Sequence, residues 1–339
     1  MILARRLALA PLFLAALAAA PASAQTADTP APGAVVAAHD LVYTVADIDK
    51  SLAFYRDVFG LTPERPTAPP ISNPVLQDLS ATPGSKVRIN SLKLPGSAIG
   101  LEFTEFTGVD RHPVRGGVQD PGSSMLALVV TDLDAAVARA KTAGAVVITT
   151  GGVPIRQGAP DAKSYNRAIF LRDPDGFAME VLQMYPGQPA PASAGGIVVS
   201  GGLALTVGDA DRTAAFWKPF GVQVKVGAPM QGRSTMTELT ATGNANMRLG
   251  TVSIRGAEGR WLIQEFTGIP RTPRQGRLQD PGTPAITLSV RDLDAAMAII
   301  RQSGAPIVSV GGQAVHWPGR PGGSVFIRDP DGILFEIMQ

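Results

Sequence analysis

The sequence has no cysteine and only three histidines in 339 residues. The first absence excludes disulfide scaffolds, thiolate zinc sites, cysteine nucleophiles and thiol-linked lipid anchors; the second leaves almost nothing for a histidine-rich metal centre. Charged residues are sparse at 17%, and no stretch beyond the N-terminal segment approaches the ~20 apolar residues that a membrane-spanning helix needs. Ser-His-Asp order, a phosphate-cradling glycine loop and a dinucleotide fingerprint are all missing. Gly151-Gly152 and Gly311-Gly312 are turn glycines with no helix after them, so no organic cofactor is indicated.

What the chain does have begins with an address. Met1 to Ala24 carries Arg5 and Arg6, an apolar stretch from Leu7 to Ala20 and a small-residue Ala22-Ser23-Ala24 cleavage site. This reads as a secretory signal and predicts a secreted or periplasmic protein, with no membrane attachment after cleavage. Removing residues 1–24 takes away two arginines and leaves 28 Lys+Arg against 28 Asp+Glu. The basic pI of the precursor therefore gives no footprint for nucleic acid or anionic lipid.

The remainder is written twice. GVDRHPVRGGVQDPG at Gly108 returns as GIPRTPRQGRLQDPG at Gly268, TDLDAA at Thr131 as RDLDAA at Arg291, and IFLRDPDGFAMEVLQ at Ile169 as VFIRDPDGILFEIMQ at Val325. Offsets of 160, 160 and 156 residues between these landmarks mark one domain duplicated, with small insertions and deletions between the copies. The pattern predicts a disordered Pro/Ala/Thr-rich tail over residues 25–38, a first domain over 39–184, a linker over 185–198 and a second domain over 199–339.

Each domain also halves. Short β-type runs end at Asp47, Asp132, Asp209 and Asp292, each placed to cap a helix by accepting first-turn amide protons. Leu133, Ala136, Val137 and Ala140 then recur at one-face helical spacing, as do Leu293, Ala296, Met297 and Ile300. Strands follow over Val87–Leu94, Ile99–Phe106, Val146–Thr149, Ala168–Leu171 and Phe177–Leu182, with Asp-Pro-Asp-Gly turns before the last strand of each domain. The Pro-rich stretch from Thr62 to Gly84 reads as loop or a short helix.

The four-fold unit, the V-x-D-[hydrophobic]-D helix start, SLAFYRDVFGL after the first strand and the DPDG-x3-E ending resemble the vicinal oxygen chelate superfamily of glyoxalases, bleomycin-resistance proteins and extradiol dioxygenases. The resemblance covers nearly all of residues 39–184 and 199–339. It implies an α+β fold of four βαβββ modules, two per domain, forming two incompletely closed barrels around ligand clefts. Whether the domains pair within one chain or across a homodimer stays open. The family holds lyases, isomerases, dioxygenases and metal-free drug-sequestering proteins, so the fold does not select a function.

Family enzymes place a metal ligand on the first strand of a module and a Glu on its last. Carried over by spacing from the capping Asp residues, these positions fall at Asp40 beside His39, at Met125, and at Glu105 and Glu180. In the second domain they fall at Gly202, Glu265, Ala285 and Glu336, a set read as degenerate. His39 and Asp40 are neighbours on a strand and face opposite ways, so a bulge is needed to bring His39 inward. Met125 is a soft thioether that suits a hard ion poorly. Glu180 and Glu105 are the catalytic candidates, since a carboxylate in an apolar strand is costly unless paired. Their structural alternative is an arginine partner. Glu102 lies an odd number of residues from Glu105 and faces the other way.

Tyr43, Phe103, Met125 and Phe170 are candidate cleft residues, with core packing as the alternative for the aromatics. His112 and His316 lie in loops and read as surface histidines. The resemblance thus implies either one divalent ion (Fe, Mn, Zn or Ni) serving lyase or isomerase chemistry on a small oxygen-bearing molecule, or metal-free binding of such a ligand.

Overall fold

The computed structural model describes residues 30–187, 196–254, 257–319 and 321–339, with side chains of 257–260 left aside. The signal segment, residues 25–29 of the expected tail and residues 188–195 of the expected linker lie outside the described residues.

The first repeat runs β1 (Val35–Thr44), α1 (Ile48–Phe59), α2 (Pro74–Ser80), β2 (Lys86–Lys93), β3 (Gly100–Thr107), β4 (Ser124–Val130), α3 (Leu133–Thr142), β5 (Val146–Val147), β6 (Ile155–Gln157), β7 (Tyr165–Arg172) and β8 (Ala178–Tyr185). The second runs β9 (Val198–Val207), α4 (Ala210–Trp217), β10 (Gln223–Val226), α5 (Thr235–Leu239), β11 (Asn246–Ile254), β12 (Ala257–Thr267), β13 (Pro284–Val290), α6 (Leu293–Ser303), β14 (Val315–His316), β15 (Gly323–Arg328) and β16 (Leu334–Met338). Strand β1 begins at Val35, inside the stretch read as tail. The Pro-rich segment contains the short helix α2, started by Asn73, whose side chain accepts from the Val75 and Leu76 amides.

The four aspartates cap their helices. Asp47 Oδ1 accepts from the amides of Asp49 and Lys50, each at 3.2 Å. Asp209 does the same for α4, while Asp132 and Asp292 each accept one amide at 2.9 Å. An uncapped amide at these positions costs about 1 kcal/mol. Helix α1 stops at Gly60, which takes φ 72°, and α4 stops where Pro219 removes the next amide donor.

The strands form two sheets, and neither sheet belongs to one repeat. Sheet A has the order β14-β15-β16-β13-β1-β3-β2; sheet B has β10-β11-β12-β9-β4-β8-β7-β5, with β6 on β7. The seams are antiparallel: β1 meets β13 with Val42 opposite Ala285, and β4 meets β9 with Ala127 opposite Gly202. Module one therefore pairs with module four and module two with module three, so the duplication boundary and the barrel boundary do not coincide. This corrects the expectation of one barrel per repeat. Each incompletely closed barrel is built within the one chain, and each sheet stays open between its edge strands, β14 and β2 in sheet A and β10 and β5 in sheet B.

A shared core lies between the sheets and helices α1, α3, α4 and α6, and includes Tyr43, Tyr55, Phe103, Leu205, Trp217 and Phe335. Each sheet has a second apolar cluster on its concave side, capped by α2 over sheet A and by α5 over sheet B. The repeated Arg-x-Pro connectors interlock across the molecule. Val114 N donates to Pro281 O and Arg274 N to Pro121 O, both at 2.7 Å, while Asp280 and Asp120 accept from the His112 and Thr272 amides at 2.8 Å. The motif is a reciprocal clasp between the repeats, which accounts for its presence in both.

Candidate active site

Sheet A curls around a cavity of about 550 Å³, counted to its mouth. Its walls are apolar, with Val42, Ile89 and Phe106 from the first repeat and Trp317 and Phe326 from the second, and Leu79 of α2 closing over them. The polar lining is Thr44, Ser80, Glu102, Thr104 and Glu336; among the described residues no Lys, Arg or His lines it.

The register explains the two glutamates. Glu102 on β3 stands opposite Val42 on β1, and Glu336 on β16 stands opposite Thr287 on β13, so they flank the β1–β13 seam from either side. Alternation then places Thr104 and Phe106 on the cavity face with Glu102. Both carboxyls are half-buried and open on the cavity.

Their protonation is set by the walls. Burial, then the charges of Asp40 and Glu336, push Glu102 up to about 8, against a hydrogen bond from Thr104 Oγ at 3.2 Å. Burial also raises Glu336, but Ser324 and Thr287 both donate hydroxyl hydrogen bonds to it and favour its ionised form. Burial raises both carboxyls; two hydroxyl donors on Glu336 against one on Glu102 favour Glu336 as the carrier when the pair holds a single charge.

Asp40 joins this face through a bulge. Ala38 pairs with Leu288 and Leu41 with Ile286, so His39 and Asp40 together oppose Thr287. Asp40 keeps the alternation of Val42 and Thr44 and lies over Gly100, where a methyl group would collide with its Oδ1. His39 turns outward, exposed, and its Nε2 bonds Ser289 Oγ at 2.6 Å. The bulge expected near His39 exists, and it delivers Asp40 to the cleft instead.

The remaining candidates separate. Glu105 lies on the opposite face of β3 from Glu102. Its Oε2 accepts from Arg88 at 3.2 Å and from the Ile48 amide at 3.4 Å, tying β2 and β3 to the start of α1. Glu265 repeats this with Arg248 and the Ala210 amide, each at 3.3 Å. Glu180 lies in sheet B, fully buried on the concave side opposite Phe170, and neither oxygen has a partner; burial pushes it up to about 8. The set His39, Asp40, Glu105 and Glu180 is therefore not brought together, because its members occupy two barrels and three faces. Among the described residues no three His, Cys, Asp or Glu side chains converge closely enough to hold a metal ion. Asp40, Glu102 and Glu336 are hard oxygen donors, but as placed they do not close into a divalent-ion shell.

Of the aromatic candidates, Tyr43 and Phe103 belong to the shared core, Tyr43 stacked on Phe177 at 3.5 Å between centroids. Met125 and Phe170 line the concave side of sheet B. None of the four reaches the sheet A cavity. His112 is exposed, paired with Asp110 at 2.7 Å, and His316 is exposed on the Gly322 carbonyl. Trp317 beside it turns into the cavity. Glu102 was discarded by sequence reasoning on the very parity that places it in the cleft, and Glu336 was set aside with its repeat.

With this geometry in view, the profile of the Glyoxalase/Bleomycin resistance protein/Dioxygenase superfamily matches residues 37–181 and 200–337. The chain belongs to this superfamily. A curated relative, a 2-epi-5-epi-valiolone epimerase from Actinomyces sp., is 28% identical over 167 residues, 47% of this chain and 84% of the relative. Glyoxalase I from Zea mays shares the fold at 18% identity and a TM-score of 0.54, with 90% of this chain and 92% of that one covered.

Proposed function

We propose that this superfamily member is an isomerase of the proton-transfer type, acting in the sheet A cleft on a small, uncharged, oxygen-bearing molecule. The observation that carries this reading is the pair Glu102 and Glu336: two carboxyls raised by burial and held by different hydroxyl donors, on either side of one apolar cavity that, among the described residues, no cationic side chain lines. Phosphate or carboxylate groups on a substrate would meet repulsion from the pair, with the Arg65 charge acting on Glu102 only from outside the lining.

In this scheme Glu336, ionised, takes a proton from the carbon next to a carbonyl. Glu102, protonated, gives its proton to the carbonyl oxygen, so that a neutral enol forms. When the enol turns its other face to Glu336, return of the proton to the same carbon, with Glu102 taking back the enol hydroxyl proton, gives an epimer. From a hydroxy ketone the enol is an enediol, and delivery of the proton to the former carbonyl carbon, with Glu102 taking the proton of the neighbouring hydroxyl, gives an isomer. The Ser324 and Thr287 hydroxyls hold Glu336 in position, and Leu79 and Trp317 keep water from the enol. The epimerase relative supports this class of chemistry without fixing the substrate. The export signal read in Met1–Ala24 places the activity outside the cytoplasm in this proposal.

The test is deuterium exchange followed by NMR. A panel of small hydroxy ketones and cyclitol ketones is incubated in D2O with the wild type, Glu336→Gln and Glu102→Gln. Exchange next to the carbonyl should appear with the wild type and drop roughly 10²–10⁴-fold in each variant. Equal exchange in all three proteins would overturn the assignment, and binding without exchange across the panel would make the cleft a receptor.

A further inference from the structure

The two repeats differ beneath their first helices. In the first repeat Asp173, the leading Asp of the Asp-Pro-Asp-Gly turn, is buried and fully engaged: Oδ1 accepts from the Gly176 and Phe177 amides, and Oδ2 accepts from the Tyr55 hydroxyl at 3.0 Å. In the second repeat its counterpart Asp329 accepts from the Asp331 and Ile333 amides through Oδ1, while the buried Oδ2 has no partner. The cause is one substitution at the same helical position. Trp217 stands eight residues after the capping Asp209, as Tyr55 stands eight after Asp47, and its ring packs against Phe335 at 4.4 Å with no hydroxyl to offer.

The space around the unpartnered oxygen differs too. Tyr43 and Phe103, whose rings fill this core in the first repeat, are Leu205 and Ile263 in the second. The volume they leave is part of a cavity of about 370 Å³, counted to its mouth, bounded by Leu205, Ile263, Trp217, Trp261 and Phe335, with Asp329 as the acidic group in its lining. Half-buried Val224 and Val252 border it from β10 and β11. It lies on the face of sheet B away from the concave barrel interior, apart from the Glu102/Glu336 cleft.

We propose that this cavity is a second ligand site, one that takes a small ring compound bearing a hydroxyl, which it donates to Asp329 Oδ2. The ligand supplies from outside what Tyr55 supplies in the first repeat: a flat apolar body and one donor. Aromatic walls suit the ring, a buried acceptor without a donor favours the hydroxyl, and among the described residues no basic side chain lines the cavity to favour an anion.

The probe is p-cresol, the side chain of tyrosine as a free molecule, with toluene as its isosteric partner lacking the donor. Calorimetry on the full chain should show one p-cresol site per chain, with toluene at least about tenfold weaker. Trp217→Tyr should abolish p-cresol binding and raise Tm, because the new hydroxyl reaches Asp329. Ile263→Phe should abolish binding by filling the void with Trp217 unchanged, which keeps the test decisive if the first variant folds poorly. Equal affinity for the two probes, no saturable p-cresol binding at millimolar concentration, or unchanged binding in Ile263→Phe would overturn the proposal. So would loss of p-cresol binding in Glu102→Gln, which would put the ligand in the other cleft.

Discussion

Glu336 and Glu180 occupy the same place in the two repeats, two residues into the equivalent strand and opposite an equivalent phenylalanine, yet their surroundings have diverged. Glu336 opens on a cavity and receives hydroxyl hydrogen bonds from Ser324 and Thr287. The matching residues around Glu180 are Ala168 and Ala127, and its carboxyl is sealed among Met125, Phe170 and Leu182 with no donor. The strand position is inherited, but its chemistry depends on two hydroxyls and an opening. The same contrast holds at the other positions: Asp40 and Glu102 in sheet A face Gly202 and Leu262 in sheet B. One barrel has kept a set of ionisable groups, and the other has kept a single acid in an apolar interior.

The largest expected effect separates the barrels by activity. Glu336→Gln should lower proton exchange by two to four orders of magnitude, whereas Glu180→Gln should leave it within about twofold of wild type. The pH profile sharpens this further. Glu102 must be protonated to act as the acid, and its pKa is pushed up to about 8, so the rate should fall above that pH and recover on acidification until Glu336 itself is protonated. A divalent-metal thermal-shift panel is the complementary check. The carboxyls as placed do not converge on an ion, so no stoichiometric metal should appear; one equivalent lost in Glu336→Gln would replace the metal-free scheme.

A second effect separates the barrels by stability. Burial raises the Glu180 pKa to about 8, against ~4.3 in an unfolded chain. The folded state therefore holds a proton that the unfolded state releases. Its contribution to stability is fully present below about pH 4 and is lost as pH rises through about 8. Glu180→Met removes the burden and should stabilise the protein by about 1–3 kcal/mol at alkaline pH, with little gain at pH 5. Glu336→Met should show no such gain, since it leaves the Ser324 and Thr287 hydroxyls without their acceptor. Urea unfolding at both pH values measures the difference.

Much of the local architecture was legible. The four capping aspartates, the helix faces and the Asp-Pro-Asp-Gly turns follow from short-range rules, because an amide without a partner or a glycine at positive φ is a local matter. The pairing of modules was not legible, since the seams Val42–Ala285 and Ala127–Gly202 join residues from different repeats with no local signal. That one long-range fact moved Glu180 out of the site and brought Glu336 in. The bulge shows a finer limit. A slip of one residue at His39 and Asp40 decides which of two neighbours enters the cleft, and only the register against Thr287 settles it. The parity of Glu102 with Thr104 and Phe106 was present in the sequence; it pointed inward once Phe103 was known to face the helices.

The smallest expected effect concerns the one site candidate that the two repeats treat alike. Glu105 joins Arg88, which also pairs with Asp49 at 2.9 Å, and Glu265 joins Arg248, which pairs with Asp211 at 2.9 Å. Each group links the edge of a sheet to the first turn of a helix, where an acidic side chain also favours the helix dipole. A feature kept equally in an ionisable barrel and an apolar one is serving the frame common to both. Glu105→Gln and Glu265→Gln should therefore each cost only about 1–2 kcal/mol, because the glutamine amide oxygen still accepts from the arginine and the helix amide while the arginine keeps its aspartate, and should leave the exchange rate unchanged. Unequal costs, or a rate that falls with Glu105→Gln alone, would mean that this contact has a duty in the cleft as well as in the frame.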